Sequence, residues 1–323
     1  MLNNVRTSSV ARSQIPSFTL KLMREAKRMA KDTNATAIHS HWVIPCGVAA
    51  AHVVGRHGLR HVATMHAGDV AGLLKLPGKE RLAHYVLART DHVVAVSNFV
   101  ADRFLSCVAS PDRADAREKV LVLPMGVDVG DLTVGPAAVV TARSLLFVGR
   151  LVEKKGIHVL LSAVGRLKEE FPDVHLLVCG TGPLRPVLED QVRRLGLGSN
   201  VEFKGFVKEE AKRELLRAKP LVVVPSIESE GGDFEGLPVA VLEGLAAGCL
   251  VVASRAGGVT DVLRDGENGL LVESGDVDGL AAAIRRGLRD DSLAIGLGRR
   301  AQADAAAFDW PVIAAAYQRL LFS

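Results

Sequence analysis

Glu235 and Glu243 frame one short segment, Glu235-Gly236-Leu237-Pro238-Val239-Ala240-Val241-Leu242-Glu243, approached through Gly231-Gly232-Asp233-Phe234. Proline fits the first turn of a helix, where the N–H it lacks has no partner in any case. Val239, Leu242, Leu245 and Ala246 recur at helical spacing, so Glu243 lies about one and a half turns inside a helix that begins at Pro238. One carboxylate is then in a loop at a helix N-terminus and the other on the helix body. The backbone N–H groups between them have no intrahelical partner and carry the positive end of the helix dipole. Such a place suits an anionic phosphate flanked by hydroxyl-rich groups. A carboxylate accepts two hydrogen bonds from a vicinal diol, and a sugar or a ribose presents one.

A second cluster could act on the same phosphates. Gly149-Arg150-Leu151-Val152-Glu153-Lys154-Lys155-Gly156 falls between an apolar strand-like run and a helical one. Arg150 and Lys155 are placed to reach a diphosphate, arginine as a planar fork and lysine as a mobile point charge. Taken by itself the loop is equally a solvated basic turn.

The elements that must hold these groups alternate along the chain. Ser144–Gly149, Val174–Cys179, Val201–Phe203, Leu221–Val224 and Leu250–Ala253 read as strands, and Ile157–Phe171, Leu184–Leu195, Lys208–Arg217 and the segment from Pro238 as helices. Apolar strands alternating with amphipathic helices predict a parallel sheet covered on both faces, with ligands beyond the carboxyl ends of its strands. Gly149-Arg150, Gly180-Thr181-Gly182, Gly205-Phe206, Pro225-Ser226 and Gly257-Gly258 all lie at those ends. The first half has the same grammar. Ala37–His39, Arg60–Thr64, His92–Ala95 and Val120–Leu123 read as strands, with helices around Phe18–Ala30, Gly47–Arg56, Arg81–Ala88 and Phe99–Leu105. Asp128–Arg143, weakly periodic and carrying Gly130, Gly135 and Pro136, reads as a linker. The expected organisation is a first α/β domain over 1–138, a second over 139–305, and a helix in 306–323 that crosses back to the first.

Composition narrows the chemistry. With 323 residues, 48% hydrophobic and 24% charged, the chain is long enough for two packed domains and is not disordered. The four cysteines, Cys46, Cys107, Cys179 and Cys249, are scattered, which argues against disulfides and a cysteine zinc site and fits a reducing compartment. A net charge of +4 with 4% aromatic residues offers no base-stacking platform, so nucleic acid is not an expected partner. No apolar run is long enough to span a bilayer. Residues Phe18–Lys31 combine Lys21, Arg24, Lys27, Arg28 and Lys31 with Leu20, Leu22, Met23, Ala26, Met29 and Ala30. This is either a membrane-surface helix or an ordinary amphipathic helix with a solvated basic face. The second fits better, because the apolar face lacks large aromatics.

Taken in order, Gly-Arg-Leu-x-x-x-Lys-Gly, Gly-Thr-Gly-Pro, Pro-Ser and Glu-x7-Glu make the chain resemble the retaining glycosyltransferases of family 4. The resemblance runs upstream through His39-Ser40-His41-Trp42, Thr64-Met65-His66-Ala67-Gly68-Asp69, Ala95-Val96-Ser97-Asn98 and Leu123-Pro124-Met125-Gly126-Val127-Asp128. It implies a GT-B fold, an α/β architecture of two doubly wound Rossmann-like domains whose parallel sheets face each other across a cleft. It also implies a hexosyl transferase that takes its sugar from a UDP- or GDP-linked donor, usually without a metal or other cofactor, and passes it to a glycan or lipid-linked saccharide. Arg150 and Lys155 would bind the diphosphate and stabilise the leaving group. Glu243 would hold the ribose, and Glu235 would contact the donor sugar with the N–H groups of Gly236 and Leu237. Gly149, Gly180 and Gly182 would line the donor site, with Phe206 and Val207 near the base and His66 facing the sugar from the acceptor domain. His39 and His41 could serve the site or only pack. Ser97 and Asn98 could cap the next helix. Asp69 could meet the acceptor or only hold a local turn. The expected location is the cytoplasm, with peripheral contact at the inner face of the membrane as a finer reading.

The start of the chain departs from the family. Its members open with a strand and a Gly-rich turn, whereas Met1–Gln14 is polar and aperiodic. A βαβ unit takes about 30 residues, which puts the expected shortfall at roughly 60–90 residues and makes the N-terminal domain incomplete. The alternative function is therefore a truncated, non-catalytic fragment that binds a nucleotide sugar.

Overall fold

A computed structural model of the chain describes residues 15–133 and 143–322. The chain divides into two compact units, one of Met1–Pro124 with Ala314–Ser323 and one of Met125–Ile313.

In the first unit four parallel strands lie in the order of the chain: β1 (Ala37–His41), β2 (Arg60–Met65), β3 (His92–Ala95) and β4 (Val120–Val122). The helix Val48–His57 joins β1 to β2, Ala67–Leu74 and Lys79–Leu87 lead to β3, and Asn98–Leu105 and Arg113–Lys119 lead to β4. The alternation of a strand divides β1 into two sets of side chains. Ser40 meets His61 Nε2 at 2.9 Å, while His39 Nε2 meets Thr64 Oγ1 at 2.8 Å. The first helix, Ile15–Asp32, packs on Val48–His57. Among the described residues no helix is long and apolar enough to cross a membrane.

The second unit holds six parallel strands: β5 (Ser144–Val148), β6 (His175–Cys179), β7 (Val201–Gly205), β8 (Leu221–Val224), β9 (Val251–Ser254) and β10 (Leu270–Val272). Their order is β10-β9-β8-β5-β6-β7. The chain thus runs outward from β5 to β7, returns, and runs outward again from β8 to β10. The reversal lies between β5 and β8, the place where doubly wound sheets bind ligands. Strand alternation sends Leu145, Phe147, Val223 and Val252 to one core with the helices Ile157–Leu167 and Val277–Arg289. Leu146, Val222, Val224, Val251 and Ala253 go to the other, with Val239–Ala246 and Asp291–Ala305. Each such buried aliphatic side chain contributes about 1.5–3 kcal/mol, so both faces hold the sheet.

The division of the chain differs from the sequence expectation at both ends of the second unit. Residues 125–133, expected in the first domain, belong with the second. The reason is local: Val127 N–H donates to the Phe308 carbonyl at 2.9 Å, Trp310 N–H donates to the Val127 carbonyl at 3.2 Å, and Leu132 is buried in the second core. The rest of the expected linker, 134–142, lies outside the described residues. The last helix, Trp310–Phe322, is divided after Ile313. From Ala314 it belongs to the first unit, where Tyr317 OH meets Thr64 Oγ1 at 3.0 Å and the Leu320 carbonyl accepts from Arg60 Nε at 2.8 Å.

Candidate functional site

In the second unit the loops after β5, β6, β8 and β9 converge. Gly149 N–H donates to the Cys179 carbonyl, and Leu151 N–H donates to the Thr181 carbonyl, each at 2.9 Å. Gly180-Thr181-Gly182 is therefore stitched to Gly149-Arg150-Leu151. Both glycines are needed there: a Cβ on Gly180, whose φ is +153°, would overlap the Gly149 carbonyl, and one on Gly182 the Leu151 carbonyl. Glu153–Lys155 then forms a single 3-10 turn that ends at Gly156 in the left-handed region, with φ +63°.

This turn presents its two lysines to Glu235. Lys155 Nζ lies 3.0 Å from Glu235 Oε2, and Lys154 Nζ lies 3.5 Å from Oε1. Lys154 also donates to the Phe234 carbonyl at 3.0 Å and pairs with Asp233 at 3.3 Å. Glu235 is only 7% exposed, and its Oε1 is buried without a hydrogen bond. Its backbone is pinned from the β9 side, because Gly258 N–H donates to the Gly236 carbonyl at 2.5 Å and a Cβ on Gly257 would overlap the Glu235 carbonyl. Gly236 and Leu237 are buried beside it. Pro238 caps the helix Val239–Ala246, so Glu243 sits on the helix body as its spacing required. Its Oε1 accepts from Lys212 Nζ at 2.6 Å.

The predicted residues thus fall into groups. Lys155 and Glu235 touch, with Gly149, Gly180, Gly182, Gly236 and Leu237 in the loops around them. Arg150 is exposed beside them and forms no ion pair among the described residues. Glu243 stands apart with its own cation. Phe206, 78% exposed, and half-buried Val207 follow the glycine that ends β7.

Three properties of these residues were not read from the sequence. Lys154 joins Lys155 on Glu235, although it lies in the same basic loop. Ser226, in the Pro225-Ser226 pair that follows β8, is fully buried with its hydroxyl without a hydrogen-bond partner. Lys212 lies in a helix, Glu209–Arg217, whose sequence looks like an ordinary charged surface.

His66 belongs to the first unit, at the carboxyl end of β2, where its Nε2 lies 3.2 Å from His41 Nδ1. The His41 ring lies 4.5 Å from that of His39, and His39 reaches Tyr317 through Thr64. Burial, reinforced by His41, lowers the His66 pKa to about 4, and burial with its histidine neighbours does the same to His39. His41 is also lowered by burial. The Asp69 carboxylate accepts from His66 N–H at 2.8 Å within its own turn and from Val43 N–H at 2.6 Å across the unit. Ser97 caps its helix by accepting from Val100 N–H at 3.2 Å. Among the described residues no group of three or more His, Cys, Asp or Glu side chains is arranged to hold a metal ion.

These titrations set an acid response for the first unit. His39, His61 and His66 each fall from 6.5 to about 4, mainly by burial. A histidine depressed in the folded state stabilises the fold above its unfolded value, and that contribution is lost as pH falls toward 4. Asp69 runs the other way: burial raises it to about 7 against four backbone hydrogen bonds, so its contribution is present at low pH and lost as pH rises toward 7. Three groups oppose one, and the first unit should lose stability between pH 6.5 and 4. Scanning calorimetry at pH 7 and pH 5 should show its transition moving down on acidification. A transition that moves up would show that Asp69 prevails.

Two parallel-sheet units in one chain, the second doubly wound with lysines on a buried glutamate at its switch point, fit the GT-B class, and the solved structures that the chain resembles are of that class. The chain belongs to the glycosyl transferases group 1 family, which matches residues 136–304, and the Glycosyltransferase Family 4 model matches residues 3–131. It is 30% identical to the putative colanic acid biosynthesis glycosyltransferase WcaL of Salmonella typhimurium over 76% of this chain and 60% of that protein. It is 35% identical to the phosphatidyl-myo-inositol mannosyltransferase of Mycolicibacterium smegmatis over 61% of this chain and 50% of that protein. The chain thus spans between half and three-fifths of the length of these relatives. Among solved structures, Anabaena HepE in complex with UDP superposes with a TM-score of 0.79 at 22% identity, over 93% of this chain and 81% of that one.

Proposed function

We propose that the protein transfers a sugar from a nucleoside diphosphate sugar, UDP- or GDP-linked, to a hydroxyl of a glycan or lipid-linked saccharide, with retention at the anomeric carbon. The observation that carries this reading is the pairing of Lys154 and Lys155 with buried Glu235 at the point where the order of β5 and β8 reverses. In the transfer, the bond from the anomeric carbon to the diphosphate breaks and a bond to the acceptor oxygen forms on the same face. The acceptor proton passes to the leaving phosphate. Lys155 and Arg150 supply fixed positive charge where the leaving group becomes negative, the place where charge lowers a barrier most. Glu235, Gly236 and Leu237 hold the sugar, and Glu243 holds the ribose. The role of His66 at the sugar rests on the family resemblance.

The named relatives support the acceptor class, since one is a mannosyltransferase acting on phosphatidyl-myo-inositol by its name. The UDP bound by HepE supports the donor class. Peripheral contact with a membrane bearing the acceptor, the less favoured reading of the Ile15–Asp32 helix, would use its exposed Phe18, Leu20 and Met29 on a basic segment. On this reading no metal takes part.

The experiment is a screen of UDP- and GDP-sugars for thermal stabilisation, followed by a transfer and hydrolysis assay on the hits with and without EDTA. Stabilisation with turnover that EDTA leaves unchanged is the expected result. Binding without turnover would make the chain a nucleotide-sugar-binding module, and no binding at all would refute the reading.

A further inference from the structure

Glu243 is a carboxylate on an apolar helix. Its neighbours Val241, Leu242, Leu245 and Ala246 are fully buried, and Glu243 itself is 9% exposed. A charge in such surroundings is costly unless a partner compensates it. The partner comes from a different helix, where Lys212 Nζ lies 2.6 Å from Glu243 Oε1. The ammonium is held from its other side by Glu209, at 2.8 Å. Glu209 in turn pairs with Arg213 at 3.5 Å, and Arg213 pairs with Asp128 and Asp131. Burial draws the lysine pKa down, but the hydrogen bonds to Glu209 and Glu243 outweigh it and hold the ammonium above the ordinary range. Lys212 is therefore a fixed cation.

We infer that Lys212 is a positioning residue for the ribose: its ammonium occupies one oxygen of Glu243 and leaves Oε2 turned to the 2′,3′-diol. This rests on the proposal that Glu243 holds the ribose. Among the described residues Oε2 accepts no other hydrogen bond. With Oε1 held by the ammonium, the carboxylate is fixed in orientation and its second oxygen is placed to accept from a hydroxyl of the diol. The consequence is specificity. With Lys212 present, a ribonucleotide is preferred over its deoxy counterpart, because a site built around a hydroxyl rejects the analogue that lacks it.

The test measures the binding of UDP, GDP and their 2′-deoxy and 3′-deoxy counterparts to the full chain by calorimetry. It compares the wild type with Lys212→Met, Lys212→Arg and Glu243→Ala. Wild-type protein should bind the better ribonucleotide at least tenfold more tightly than its deoxy forms. In Lys212→Met that ratio should fall to threefold or less, and Lys212→Arg should restore most of it. Both affinities are read on the same sample, so a loss of folded protein does not change their ratio. If Lys212→Met keeps the wild-type ratio while Glu243→Ala abolishes it, the inference about Lys212 is overturned and the ribose site stands. If Glu243→Ala also keeps the ratio, or the wild type shows none, the ribose reading itself fails and takes the inference with it.

Discussion

Lys155→Ala is expected to lower turnover of the sugar-transfer reaction by about 10²-fold or more, the range seen when one fixed group is removed from a developing charge. The substitution has two consequences. On the proposed reading, it removes a cation from the place where the leaving diphosphate gains charge. It also leaves Glu235 Oε2 without its 3.0 Å partner, so that buried Glu235 retains only Lys154, 3.5 Å from the other oxygen. The second effect is a matter of stability and the first of rate, and they are separable. The unfolding midpoint in urea reports the loss of the ion pair, while kcat measured well below that midpoint reports the loss of the cation. Lys155→Arg keeps the charge but changes its shape, and should recover only part of the rate. Wild-type kcat in Lys155→Ala would remove the loop after β5 from the chemistry.

Gly156→Ala should destabilise the second unit by roughly 3 kcal/mol or more, the sum of a strained backbone and a steric overlap. Gly156 has φ +63°, where any residue with a Cβ is disfavoured. Its position adds a second penalty, since the new methyl would overlap the Pro225 carbonyl, which is main chain and has no rotamer to relieve it. The turn after β5 and the loop after β8 would have to separate. That separation acts on function as well, because Ile227 N–H donates to the Lys154 carbonyl at 2.9 Å across the same contact. Urea denaturation should show the midpoint falling with an unchanged slope, and donor affinity should fall with it. Gly198→Ala is the control, since a Cβ there meets nothing within 4 Å. Equal stability of the two variants would mean that the two loops are not locked together as described.

Much of this arrangement was legible in the residues. The strands from β1 to β9 and most of the helices between them were marked by apolar runs alternating with amphipathic ones, but the short helices Ala67–Leu74 and Arg113–Lys119 were not read. The helix beginning after Pro238 carried Glu243 to its place by spacing alone. Between Ala253 and Trp310 no element was read, yet β10 and the helices Val277–Arg289 and Asp291–Ala305 lie there. The strand has three residues, too few for a period, and Asp291–Ala305 has a weak pattern, but Val277–Arg289 is clearly amphipathic, with Leu280, Ala281 and Ile284 on its buried side, and was legible. Strand order was also hidden, because the reversal between β5 and β8 is decided by contacts between distant segments. Partners across space were hidden for the same reason. Lys212 lies in a run of alternating charge that reads as solvated surface. The burial of Asp69 could not be told from an ordinary turn aspartate until Val43 was seen to donate to it.

The last helix has a consequence for how the molecule is made. All six strands of the second unit lie in one uninterrupted stretch, from Ser144 to Val272. The first unit is discontinuous, and Tyr317, which meets Thr64, lies near the far end of the chain. Domains generally fold as units while the ribosome is still at work, the N-terminal one first. β1 and β2 are translated before the second unit, yet Tyr317 and the Leu320 carbonyl, which close their network, are translated after it, so this network is completed only once the second unit has been made.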